Sequence, residues 1–182
     1  ALISFYTGEG FDHKGRTLED VWSLPPFWLE HTHDYIQWLF PIPEAGRLNG
    51  FAPLLGEEEQ TAFATDETLR THHKHSLDVM LTFFGLVRQE LNIESLPELN
   101  MHEHIWLKHG GHNHLRISRI IRSLHLCHQP ELATAFQHAV IEIGQTRGVV
   151  LAGGESILKH RLLQSLDHSN PVRNVHAATK SR

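Results

Sequence analysis

Apolar residues recur at three- and four-residue intervals through the middle of the chain, which is the spacing of one face of an α-helix. The clearest stripe lies between Asp66 and Gly85 and consists of Leu69, His73, Leu77, Met80, Leu81 and Phe84. Asp66 is suited to cap the first turn, and Gly85 is suited to end the last one. The pattern therefore predicts a long helix between these two residues.

Two further stripes predict a helical hairpin in the second half of the chain. The first runs from 113 to 128 and contains Ile117, Ile120, Ile121 and Leu124. The second begins at Pro130, where a missing N–H costs nothing, and ends at Gly148. Its apolar members are Leu132, Phe136, Ala139, Val140 and Ile143. The short connection between the two helices favours an antiparallel pair.

The remaining segments are shorter or irregular. We predict a short buried helix over 33–40 that ends before Pro41, and a helix that begins near Glu57. Residues 1–29 are expected to be irregular, with one helical turn at 18–22, and residues 92–111 a loop with a turn near Ile105. A last helix is predicted over 157–166.

No repeat and no strong alternating pattern of strands is visible, so the predicted fold class is all-α, a single compact irregular helical bundle with long loops. The predicted domain covers 1–166. Residues 167–182 are polar and are expected to form a C-terminal tail that is held against its own domain or a neighbouring chain.

Composition is that of an ordinary globular domain, with 40% hydrophobic and 20% charged residues among 182. The longest apolar run is far shorter than a membrane span, and no secretory signal is visible. The single cysteine, Cys127, forbids an internal disulfide and favours a reducing compartment, the cytoplasm or the nucleus, of which we expect the cytoplasm. The net charge of −5 gives no clear signal for nucleic-acid or membrane binding.

Polar residues interrupt two of the helical segments. His33 and Gln37 are four residues apart, as are Asp34 and Trp38, and each pair shares one side of a helix. His112, Arg116, Arg119 and Ser123 form a polar stripe on a later helix, beside Asn113. We hypothesise that the two segments meet.

Two interpretations of this meeting are open. In the first, Arg116 and Arg119 hold a small anionic ligand or a peptide group, His33, Gln37, His112 and Asn113 orient the rest of it, and Trp38 is a stacking wall. In the second, Asp34 pairs with an arginine, Asn113 caps its helix, and the motif is a structural latch. The alanine variant of Arg116 would distinguish them.

Histidines crowd the segment 102–114, which contains His102, His104, His109, His112 and His114. Imidazole is a common ligand of divalent transition metals, so a metal site is one hypothesis. None of the standard zinc spacings is present, which favours surface histidines as the alternative.

Catalytic signatures are absent: the chain has no G-x-S-x-G, P-loop or G-x-G-x-x-G motif. Cys127 lies near His125 and His128, but neither position faces it well on a helix. A binding module is thus favoured over an enzyme, with a metal-binding protein or enzyme and a purely structural interaction domain as the other interpretations. Self-association is compatible with all three.

Three segments, 29–41, 80–86 and 112–124, together with Phe5 and Tyr6, resemble the opioid growth factor receptor domain. The resemblance implies a domain found in receptors for an enkephalin-type growth factor, which in animals is associated with the nuclear envelope and growth inhibition. This chain is rich in histidine and short, which suggests a short microbial member of that family.

Overall fold

The computed structural model describes residues 1–46, 50–108 and 112–148. The predicted helix over 157–166 and the tail over 167–182 lie outside these residues. In chain order the elements are α1 (Leu2–Tyr6), α2 (Leu18–Trp22), α3 (Pro26–His31), α4 (Ile36–Leu39), α5 (Glu57–Thr65), α6 (Glu67–Phe83), β1 (Leu86–Gln89), β2 (Asn92–Ser95), a 3-10 turn (Ile105–Leu107), α7 (His112–Leu126) and α8 (Pro130–Arg147).

The long helices predicted from the strongest apolar stripes are confirmed as α6, α7 and α8. The Asp66 side chain caps α6 by accepting a hydrogen bond from the Thr68 backbone at 2.7 Å. Gly85 follows the helix with a φ of +75°, and a Cβ there would lie 2.7 Å from the His104 ring. Helices α7 and α8 pack against each other as the predicted hairpin.

The fold is mainly α rather than all-α, because a small antiparallel hairpin follows α6. Leu86 of β1 lies opposite Ser95 of β2, and Glu90 in the turn between them has a φ of 53°. Part of the predicted loop over 92–111 is therefore a strand, although the turn near Ile105 is confirmed. Strands of four residues are at the lower limit at which an alternating pattern can be recognised.

The first 40 residues are more helical than predicted. Besides α2, which is confirmed, α1 buries Leu2, Phe5 and Tyr6, and α3 begins with Pro26 in its first turn. Helix α4 covers only 36–39 instead of 33–40. Each of these helices spans fewer than two turns, so none repeats its apolar face often enough to give a periodic signal.

The core is continuous and joins the N-terminal helices to α6, α7 and α8. His73 of α6 is fully buried in it, with ring centroids 6.0 Å from Tyr6, 5.4 Å from Phe40 and 5.5 Å from Phe63. The aromatic side chains that are fully buried are Trp106, Tyr6, Tyr35, Phe5, Phe40, Phe63, Phe84 and Phe136. Within the described ranges, no helix combines the length and apolar character that a membrane span requires.

Candidate functional site

Arg116 of α7 is 5% exposed and holds the end of α3. Its NH1 nitrogen donates to the Leu29 carbonyl at 2.8 Å and to Asn113 Oδ1 at 3.1 Å. Its NH2 nitrogen donates to the carbonyls of Glu30 at 3.1 Å and Thr32 at 3.0 Å. The terminal nitrogens of this guanidinium are thus directed at acceptors of the protein itself.

The physical reason for this contact is the end of a short helix. The last carbonyls of a helix lack donors within it and carry a partial negative charge. A buried cation such as Arg116 supplies the donors and offsets the charge. The Tyr35 hydroxyl supports the arrangement by donating to the same Leu29 carbonyl at 2.8 Å. The Tyr35 ring lies 5.6 Å from the Arg116 guanidinium carbon.

An outer layer of polar side chains covers this contact. Glu30 accepts from Asn113 Nδ2 at 3.0 Å, and its other oxygen lies 2.8 Å from His112 Nε2. The His112 side chain is 43% exposed, and that of Glu30 is 23% exposed. The His33 ring lies edge-on to His112 at 5.2 Å, and its Nδ1 accepts from Arg116 at 3.2 Å. Desolvation and the nearby Arg116 charge lower the pKa of His33.

Asp34 and Trp38 face a different part of the chain. Asp34 accepts from Arg16 at 2.8 Å and pairs with Lys14 at 2.5 Å, while Trp38 Nε1 donates to His13 Nδ1 at 3.1 Å. Burial alone would raise the pKa of Asp34, but the hydrogen bonds and charges of Lys14 and Arg16 lower it. This group fastens the turn before α2 to the start of α4.

Arg119 contacts the end of α4, and Gln37 lies within that helix. Arg119 Nε donates to the Phe40 carbonyl at 2.7 Å, and burial, followed by the charge of Arg122, lowers the pKa of Arg119 to about 10. Arg122 pairs with Glu44. Gln37 Oε1 is buried and has no hydrogen-bond partner among the residues that the structure describes.

The eight residues of the hypothesised pocket therefore fall into separate groups. Four of them, His33, His112, Asn113 and Arg116, meet as the two-segment hypothesis requires. Asn113 lies inside α7 and bonds to Glu30 and Arg116, rather than acting as the cap. Asp34 does pair with an arginine, as the latch interpretation expects. Sequence reasoning did not single out Glu30, although it lies in the first motif.

Large apolar side chains flank the Glu30–His112 pair along the same two helices. On α3, Phe27 is 60% and Trp28 is 54% exposed, with their rings edge-on at 5.3 Å. On α7, Leu115 is 63% exposed and lies three residues after His112, on the same side of the helix. We call Phe27, Trp28, Glu30, His112 and Leu115 the α3–α7 surface.

The remaining histidines of the 102–114 segment do not form a shared cluster in the described ranges, where no group of three or more potential metal ligands occurs. His114 is buried and donates from Nε2 to the Trp106 carbonyl at 2.6 Å. His104 Nδ1 lies 3.2 Å from the Asn100 backbone, and His102 is exposed. His109 lies outside the described residues.

Cys127 is fully buried beside Ser123, with Sγ 4.0 Å from Oγ. Burial raises the pKa of its thiol to about 12. A thiolate nucleophile is disfavoured in this environment.

Comparison with known proteins identifies the family of this chain. Residues 4–149 match the opioid growth factor receptor (OGFr) conserved region. This chain is 34% identical to the mouse opioid growth factor receptor over 128 residues, which cover 67% of this chain and 20% of the mouse protein. It is 31% identical to the human receptor over the same length, covering 19% of it.

A second set of relatives is named opioid growth factor receptor-like protein 1. The Xenopus tropicalis protein is 38% identical over 127 residues, which cover 67% of this chain and 25% of the relative. The chain thus spans about a fifth to a quarter of the length of these relatives. No solved structure matches it. The chain belongs to the opioid growth factor receptor family through its conserved region.

Proposed function

We propose that this chain is a peptide-binding module whose contact surface is the α3–α7 surface. The observation that carries the proposal is the arrangement of polar side chains around Arg116. This residue is buried and bonded inward to carbonyls of the chain, while Glu30 and His112 are presented outward beside exposed Phe27 and Trp28. The relatives are named as receptors, which supports a ligand or peptide partner in general.

The geometry favours a peptide over a small anion at this surface. A forked hydrogen bond to an anion would require Arg116 to give up the carbonyls of Glu30 and Thr32. Arg119 is likewise engaged with the Phe40 carbonyl. The Glu30 carboxylate is 23% exposed and already accepts from Asn113 and lies against His112, but each carboxylate oxygen can accept a second hydrogen bond, which suits a cationic or N–H donor of a ligand.

Exposed aromatic side chains give the surface its second feature. Aromatic residues are enriched at binding hot spots, where they contribute large contact areas. Phe27 stacks on His31 at 4.3 Å and meets Trp28 edge-on, so both rings are held in defined positions. The fitting ligand therefore combines an apolar or aromatic side chain for Phe27 and Trp28 with a donor for Glu30.

The test is selection of peptides from a random display library on the untagged protein, followed by calorimetry with the best binder. The opioid growth factor peptide that gives the relatives their name is the first defined probe. We expect Glu30→Gln and the Phe27→Ser, Trp28→Ser double variant each to weaken binding at least about tenfold, which is about 1.4 kcal/mol. Phe11→Ser is the control, since Phe11 is 61% exposed elsewhere.

Failure of both the library and the defined peptide to give a binder would contradict the proposal. Equal binding by the wild type and the Glu30→Gln variant would contradict the assigned surface. The first result would favour the purely structural interaction domain, which the paired state of Arg116 also supports. The second would place the peptide on another surface.

The extent of the domain is a separate part of the proposal. The family match ends at 149, and we propose that the folded unit extends to 166, followed by a polar tail over 167–182. Limited proteolysis with mass spectrometry should give a stable fragment that ends near 166. A stable fragment that ends near 149 would contradict that boundary.

A further inference from the structure

A leucine-bearing segment over 157–166 follows the family match, which ends at 149. Three of its leucines recur at four-residue intervals: Leu158, Leu162 and Leu166. On a helix they form one apolar stripe, and Lys159 and Arg161 flank it. The segment therefore joins apolar side chains to cationic donors, the combination that suits the aromatic rings and the carboxylate of the α3–α7 surface.

Helix α8 ends close to the first turn of α7. The two helices pack against each other and are joined only by residues 127–129, so they run antiparallel. At Gly148, which follows α8, an added Cβ would lie 2.7 Å from the carbonyl oxygen of Leu107, shortly before α7 begins. His112 and Leu115 belong to the first turn of α7. The chain therefore leaves α8 at the end of the hairpin that carries the α3–α7 surface.

The connection to the segment is long enough to reach this surface. Eight residues, 149–156, lie between Gly148 and the segment. When extended, eight residues span at most roughly 28 Å. Helix α7 has 15 residues and is about 22 Å long, and the α3–α7 surface lies at its near end.

The outer side of α8 offers the leucines no apolar partner. Between 131 and 146 the exposed positions of α8 are all polar, namely Glu131, Thr134, His138, Glu142 and Thr146. Exposed Leu91 lies at the opposite end of α8, since it lines a cavity with His128 and Leu132. By contrast, Leu115 is 63% exposed on the first turn of α7.

Charge also matches between the segment and the surface. The Glu30 carboxylate accepts from Asn113 and lies against His112, and each of its oxygens can accept one more hydrogen bond. Lys159 and Arg161 are the cations that the segment brings. A charge-assisted hydrogen bond from either one is stronger than a bond between neutral groups.

We propose that residues 157–166 form a helix that docks its leucine stripe on the α3–α7 surface and places a cation against Glu30. This inference rests on the proposed function, because the segment fills the surface that a peptide would use. The segment is an internal ligand, which an external peptide must displace. Docking is reversible, so Leu115 and the rest of the surface stay accessible in the open fraction of molecules. The apparent affinity for a peptide is lowered by that fraction.

Cross-linking of cysteine pairs tests the contact in the full chain without any peptide. Both variants carry Cys127→Ala and Leu115→Cys. One adds Leu162→Cys, and the other adds Gln164→Cys, which lies on the opposite side of a helix at nearly the same distance along the chain. We expect a short bismaleimide to link 115 to 162 at least about tenfold faster than 115 to 164, because docking raises the local concentration of the leucine side.

Mass spectrometry of the products gives the rates, and circular dichroism checks that both variants are folded. Equal rates for the two pairs would overturn the docked helix. Cross-linked dimers in place of monomers would put the segment on a second copy of the chain and overturn the internal contact.

Peptide affinity tests the consequence of docking. The Leu158→Ser, Leu162→Ser double variant should bind a peptide selected on the wild type at least about fivefold more tightly, as expected if about a fifth of wild-type molecules are open. The matched control is His160→Ser with Gln164→Ser, on the opposite side of the helix, which should leave the affinity unchanged. Unchanged affinity in the leucine variant would overturn the internal ligand.

The two experiments separate this inference from the proposed function. A peptide binder combined with equal cross-linking rates would support the proposed function and overturn the docked segment. Faster linking at 162 without any peptide binder would support the docked segment and contradict the proposed function.

Discussion

The guanidinium of Arg116 on α7 donates to the Leu29 carbonyl on α3 at 2.8 Å, across 87 positions of the chain. The contact ties the N-terminal helices to the α7–α8 hairpin through backbone groups that a short helix leaves without partners. The free energy that this contact contributes determines how firmly the α3–α7 surface is held in place.

Replacing Arg116 with alanine should lower the free energy of unfolding by about 3 kcal/mol, because it removes several hydrogen bonds from a charged donor and takes that donor from the part-buried carbonyls of Glu30 and Thr32. Urea denaturation at pH 7 should show a lower midpoint with an unchanged slope. Arg116→Lys should recover only part of the loss, since one ammonium cannot replace the fork.

Arg122→Ala is the matched control for this measurement. It removes an arginine from the same helix, but its partner Glu44 has a side chain that is 57% exposed. Exposed ion pairs contribute less than about 1 kcal/mol. Equal destabilisation by the Arg116 and Arg122 variants would refute the structural weight given to Arg116.

The thiol of Cys127 should resist modification in the folded protein, because it is buried and its pKa is raised to about 12. Ellman's reagent at pH 8 should label it only after urea is added. Leu115→Cys combined with Cys127→Ala places the thiol at an exposed position of α7 and should react rapidly. Fast labelling of the wild-type protein without urea would show that Cys127 is accessible.

Asp34 should contribute stability that depends on pH. Its pKa is lowered in the folded state by Lys14 and Arg16, against the effect of burial. The contribution is therefore complete above the unfolded-state pKa, about 3.9, and is lost as the pH falls through the lower folded-state value. Asp34→Asn should destabilise the protein at pH 7 and differ less from the wild type at pH 3.

Urea denaturation at both pH values checks this prediction. Glu58→Gln removes the same charge from an exposed side chain that has no ion pair within the described ranges, and serves as the control. A difference between Asp34→Asn and the wild type that stays constant from pH 7 to pH 3 would contradict the role of the ion pairs.

The sequence predicted the parts of this fold that repeat a pattern over several turns. Helices α6, α7 and α8 each present an apolar face three or more times, so their type and ends could be read from spacing. Helices α1 and α3 have five and six residues, and each strand of the hairpin has four. Packing against the core, rather than periodicity, determines those elements.

The candidate site shows the same division. The spacing of His112 and Arg116 predicted a polar stripe that meets His33, and the structure brings them together. The acceptors of Arg116 are mostly carbonyls, which every residue has, so no residue type could reveal them. The pairing of Asp34 with Arg16 depends on a turn geometry that the sequence pattern did not indicate.

His73 should make folding sensitive to mild acid. The ring is fully buried, and desolvation lowers its pKa to about 3. Gln129 Nε2 donates to its Nδ1, which leaves Nε2 of the neutral ring to donate to Ser123 Oγ at 3.3 Å. The folded state therefore holds the neutral form.

The unfolded chain protonates this histidine near pH 6.5, while the folded chain does so only near pH 3. The stability due to the neutral ring is complete above pH 6.5 and is lost progressively as the pH falls toward 3. The slope from this one residue is roughly 1.4 kcal/mol per pH unit.

Free energies of unfolding at pH 7, 6, 5 and 4 test this prediction in the wild type and in the His73→Gln variant. The variant should be less stable at pH 7, because it loses contacts with the surrounding aromatic rings. Its stability should nevertheless fall less steeply with acidification. His128→Gln, at an exposed position, is the control and should follow the wild type. If His73→Gln kept the wild-type slope, the acid sensitivity would have to come from other groups, and the neutral buried ring would not be its source.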